Sequence, residues 1–150
     1  MLKSFYIFLT VLFLFGLGYF TFNLASYNEN TTKLIPSLCA FEHQVCTQET
    51  LFGSAELTAL PKRILSEQEI EFQLTLGSIE LKDIKSAWIE GRDMYMGKVP
   101  LFFKPNNTHF IAKTMLGACT DPQMVWTMFV NIKQGEKTQT LMFNFVSYQN

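Results

Sequence analysis

From Glu69 to Gly77 the chain reads EIEFQLTLG, so Ile70, Phe72, Leu74 and Leu76 share one face while Glu69, Glu71, Gln73 and Thr75 share the other. Alternation at period two is the mark of a half-buried strand. The pattern recurs along the chain. Leu51–Leu60 is a strand candidate that ends at Pro61, and Ile84–Glu90 carries Trp88 and stops at Gly91. Val125–Ile132 puts Trp126, Met128, Val130 and Ile132 on one face, with Thr127 and Asn131 on the other. Val99–Lys104 and His109–Leu116 flank Pro105-Asn106-Asn107-Thr108, whose residue types suit a tight turn, and the two predict a hairpin. Gly135 lies in a further turn, and Thr138–Tyr148 is a final long strand.

About seven strands spaced by roughly 8 to 12 residues predict an all-β fold, an immunoglobulin-like antiparallel β-sandwich covering residues 39–150. The N-terminus follows another rule. Phe5–Leu24 carries no charge and is apolar almost throughout, and as a helix of about 20 residues it spans about 30 Å, the thickness of a bilayer core. Lys3 precedes it and Glu29 is the first charge after it, which orients the N-terminus to the cytoplasm and the sandwich to the far side. Gly16-Leu17-Gly18 would serve as a signal-peptidase site, but the apolar run continues beyond it. The expected organisation is therefore a single-pass signal anchor at 1–25, a polar juxtamembrane linker at 26–38, and the sandwich.

Composition narrows the function classes. The chain has 150 residues, 48% hydrophobic, which suits one domain with a real core. A net charge of -1 supplies no basic field for nucleic acid. There are only two histidines, His43 and His109, and no nucleophile elbow, phosphate-cradling glycine loop or His-Glu-x-x-His, so the expectation is a protein that is not an enzyme.

Three cysteines leave at least one unpaired. Cys39 and Cys46 lie in a Cys-x6-Cys segment with His43 between them, and outside the cytoplasm such thiols are expected to be oxidised. Loop entropy does not choose the pairing: roughly 2.5 kcal/mol for Cys39 with Cys46, against roughly 4.5 for Cys39 with Cys119. Our reading pairs Cys39 with Cys46 and leaves Cys119 free, metal-bound or joined to another chain. The alternative is a Cys39, His43, Cys46 zinc set completed by Cys119.

Five of the seven methionines, Met94, Met96, Met115, Met124 and Met128, fall in a stretch that also holds Cys119. Thioethers and thiolates are the soft donors that select Cu(I). Met94 and Met96 stand two apart between Gly91 and Gly97, and in an extended backbone both would leave the same face about 7 Å apart. Met94, Met96, Cys119 and Met124 fall at expected strand ends or connections and are the candidate metal ligands. Met128 lies on the Trp126 face, so it and Met115 are expected to be packing residues.

Met94-Tyr95-Met96-Gly97, then Phe110-Ile111-Ala112 and the Trp126 strand, behind an N-terminal anchor, resemble the order found in FixH/YtkA-like proteins. More closely, Cys39-x6-Cys46, Gly91-x2-Met94-x-Met96-Gly97 and Leu116-x2-Cys119-x4-Met124-x-Trp126 resemble a group of bacterial membrane-anchored proteins associated with copper delivery to respiratory oxidases. That resemblance implies a bacterial inner-membrane protein with a periplasmic sandwich, acting as an accessory in copper handling or in assembly of a respiratory membrane complex. The competing expectation is a sandwich that binds a protein partner and no metal.

Overall fold

The computed structural model describes residues 38–77 and 84–149, together with Leu12. The expected membrane-spanning segment and the linker up to residue 37 lie outside the described residues. Among the described residues no helix is long and apolar enough to cross a membrane. From Leu38 onward the regular elements are strands: β1 (Leu38–Cys39), β2 (Cys46–Thr50), β3 (Gly53–Leu60), β4 (Glu69–Leu76), β5 (Ile84–Gly91), β6 (Lys98–Leu101), β7 (Lys104–Asn106), β8 (His109–Met115), β9 (Gln123–Gln134) and β10 (Lys137–Tyr148).

They form two five-stranded sheets, one ordered β1-β10-β9-β5-β6 and the other β2-β3-β4-β8-β7. Within the sheets all pairings are antiparallel except β1 with β10, which run parallel through Leu38↔Asn144 and Cys39↔Phe145. Both sheets turn their apolar positions onto one core. Leu57, Ile70, Phe72 and Leu74 come from the second sheet, and Ile89, Trp126, Met128, Val130, Leu141, Phe143 and Phe145 from the first. The fold is thus an all-β sandwich, and the period-two reading of Glu69–Leu76 holds. In the Trp126 strand the apolar face is buried as expected, but Thr127 on the other face is buried as well, donating to Asn144 at 2.7 Å.

Three departures from the expected strands have physical causes. Val99–Lys104 is not one strand: β6 pairs with β5 in the first sheet and β7 with β8 in the second, so the chain changes layers at Phe102-Phe103. Pro100 and Pro105 have no N–H to give to a ladder, and each sits in a strand at a sheet margin, where none is required. The hairpin is therefore β7–β8, turning at Asn107, whose φ of 51° lies in the left-handed region that asparagine tolerates. Leu51 and Phe52 belong to the turn between β2 and β3, and Gly53 at φ 110° opens β3. The third departure is β2, whose CTQET has no apolar alternation to announce it.

Cys39 and Cys46 form a disulfide with a Cα–Cα separation of 5.2 Å. The intervening loop is a turn in which the N–H groups of His43 and Gln44 both donate to the carbonyl of Ala40. This pairing excludes Cys39, His43 and Cys46 as a zinc set, because neither sulfur remains a thiolate. Cys39 belongs to a margin strand of one sheet and Cys46 to a margin strand of the other, so the bond spans the two layers. Phe41, between them, inserts into the core at 6.2 Å from the Phe72 ring and 6.0 Å from Phe145, which lie 5.4 Å from each other.

Candidate functional site

The β5–β6 connection, the β8–β9 connection and the residue after β10 meet at one end of the first sheet. β5 reaches this end at Gly91, opposite Trp126. The next residue continues the ladder once, Arg92 N–H donating to the Val125 carbonyl at 2.9 Å. The chain then bends through Arg92, Asp93 and Met94. Arg92 Nε holds Asp93 Oδ1 at 2.9 Å across the bend, which raises the guanidinium's pKa further. Gly97, at φ 79°, turns the chain back into β6.

The facing wall is the β8–β9 connection. Gln149 ties it down, its backbone N–H donating to the Pro122 carbonyl at 3.1 Å and its side-chain amide donating to the Cys119 carbonyl. Held this way, the free thiol of Cys119 lies 3.7 Å from the Sδ of Met94, within range of a weak S–H donation to a thioether. The Thr120 hydroxyl is 4.0 Å from the same sulfur. A thiol and a thioether 25 positions apart in the chain therefore converge.

Gly91 explains why the walls can close. A Cβ built there would come within 3.0 Å of both the Met94 carbonyl oxygen and the terminal methyl of Met124. Only glycine lets the bend and the Met124 side chain occupy the same side of β5. Met124 is the second residue of β9, at the strand end that the sequence suggested, but it is not presented to solvent. It lies within β9 and is 8% exposed, forming a buried floor beneath Gly91.

The period-two placement of Met94 and Met96 does not survive the bend. Met94 sits in the bend and not in an extended strand, and Met96 follows Tyr95 out of it toward β6. Met94 is 45% exposed and Met96 36%. Met128 is fully buried in the core as expected, but Met115 is exposed. It shares parity with Lys113 on β8, and Lys113 faces away from the core to pair with Glu69 at 2.8 Å. Gln149 had no signal in the sequence, since its role is to brace a loop 30 positions away. Gly91 could have been suspected from its place at the end of a strand and just ahead of Met94.

Among the described residues no three His, Cys, Asp or Glu side chains gather as a metal-holding group. The candidate donors are sulfurs alone. Comparison with protein-family models, with curated proteins and with solved structures finds no match.

Proposed function

We propose that the protein is a non-enzymatic accessory of a bacterial respiratory or other membrane complex, anchored in the inner membrane by its N-terminal segment, with a periplasmic sandwich that handles Cu(I). The sandwich is read as immunoglobulin-like because three antiparallel strands in the order β10-β9-β5, extended by β6, face a sheet containing β3-β4-β8-β7. The N-terminal part of the reading rests on the apolar Phe5–Leu24 segment and its flanking charges.

One observation carries the copper reading: the 3.7 Å approach of Cys119 Sγ to Met94 Sδ at an accessible end of the sandwich. With metal–sulfur bonds of about 2.3 Å, the length known for zinc thiolates, two sulfurs sharing one ion in a trigonal arrangement lie about 4 Å apart. The pair is therefore spaced for a shared soft ion with little movement, and thiolate with thioether is the donor chemistry that suits Cu(I). The test is an anaerobic Cu(I) titration of the full chain in mild detergent against a competing chelator. One bound equivalent, lost in the Met94→Leu/Met96→Leu double variant, is the expected result. Absence of binding by the wild type sinks the copper reading.

A second reading, a protein-binding module with no metal, is favoured by Tyr95 and Phe102, aromatic rings 78% and 75% exposed. Under it Tyr95→Ala and Phe102→Ala disrupt assembly of the partner complex, while methionine-to-leucine changes leave it intact.

A further inference from the structure

The copper reading draws on four sulfurs that the sequence cannot rank. Resting on that reading, we infer that the binding set is three of them, the Cys119 thiolate with the Met94 and Met124 thioethers, that Met96 stands outside it, and that the site takes a monovalent soft cation. Met94 and Cys119 already touch through their sulfurs. Met124 joins them through Gly91, because its terminal methyl and the Met94 carbonyl group are the nearest neighbours of the same face of that glycine. The methyl is bonded directly to Sδ, so the third sulfur lies beside the bend that carries the first. Met96 lies beyond the bend, next to β6, and is not among the three nearest neighbours of Gly91.

Charge selects the ion. One thiolate and two neutral thioethers make a donor set of charge minus one, which a monovalent cation neutralises. A dication would leave net charge over a floor formed by a methionine that is only 8% exposed, and burial of uncompensated charge is costly. The nearby carboxylates do not correct this, because Asp93 is engaged by Arg92 and Asp121, on the Cys119 connection, is an exposed residue outside any group of three His, Cys, Asp or Glu side chains among the described residues. His109 opens β8 at the end opposite to the Cys119 loop, so imidazole is not at hand.

Uptake balances without electron transfer. The S–H bond of Cys119 breaks, a sulfur–metal bond forms, the metal remains monovalent, and one proton leaves to solvent.

The experiment uses the full chain in mild detergent, with Ag(I) as a redox-inert probe and Cu(I) under anaerobic conditions. Expected results are one equivalent bound with one proton released, abolition by Cys119→Ser, at least tenfold weaker binding in Met94→Leu and in Met124→Leu, and less than twofold change in Met96→Leu. Methionine and leucine are close in volume, and retention of the wild-type urea midpoint identifies variants that fold normally. A wild type that binds neither ion overturns both the copper reading and the three-sulfur set. Binding that survives Met124→Leu but fails in Met96→Leu overturns the set and leaves copper handling standing. Tighter binding of Zn(II) than of Ag(I) overturns the charge argument.

Discussion

The indole N–H of Trp126 donates a 2.8 Å hydrogen bond to the hydroxyl of Ser147, with both residues buried where β9 and β10 approach the candidate site. This gives the largest core side chain a polar partner close in the ladder to Met124, which stands opposite Ser147. Ser147→Ala leaves a buried donor unsatisfied and is expected to cost about 1–3 kcal/mol of stability. Urea unfolding followed by tryptophan emission measures it. A loss below about 0.5 kcal/mol would show that the bond contributes little.

Phe145 meets Phe41 and Phe72 where the two sheets and the disulfide loop converge. Phe145→Ala removes a fully buried ring and is expected to destabilise the sandwich by about 3–5 kcal/mol. Phe102→Ala, at an exposed ring, is expected to stay within about 0.5 kcal/mol. Chemical denaturation of the two variants side by side checks both.

Removing the disulfide through Cys39→Ala/Cys46→Ala restores entropy to the unfolded chain and is expected to lower stability by about 2.5 kcal/mol. Thiol counting under denaturing conditions should find one reactive thiol, Cys119, in both the wild type and this variant. A count of three in the unreduced wild type would contradict the pairing.

Glu90 accepts from Lys98 Nζ at 2.9 Å and from the Trp88 indole at 2.7 Å, while Lys98 also lies over the Trp88 ring at 5.0 Å. Lys98 chiefly, helped by Trp88, holds the Glu90 carboxyl below its ordinary value of 4.5. A depressed carboxyl contributes stability that is present above 4.5 and is lost as pH falls through the lower folded value. Carboxyl NMR titration should find Glu90 ionising below 4.5, and Lys98→Met should move it upward. An unmoved titration would show that the lysine is not the cause.

Elements whose apolar residues alternate were legible in the sequence. β4, β9 and β10 bury one face of a strand, and burial writes itself into the residue order at period two. β1 is too short to show a period, β2 is polar on both faces, and β6 with β7 reads as one run because the layer change at Phe102-Phe103 falls between two apolar residues. At the site, residue type pointed to Met94 and Cys119, but their contact depends on tertiary approach across 25 positions. The bend after Gly91 replaced the extended geometry on which the pairing of Met94 with Met96 relied. Met124 stands at the strand end expected, but its burial was not legible, because a residue at the edge of a strand pattern can be either floor or rim, and only the packing under Gly91 decides which.

The two layers are closed at both lateral margins by covalent connections: the Cys39–Cys46 bond joins β1 to β2, and Phe102-Phe103 carries the backbone from β6 to β7. A book bound along both long edges cannot be opened from the side. The sheets can part only at the strand ends, and Cys119, Met94 and Met124 occupy one of those ends, where loops can yield while the binding holds.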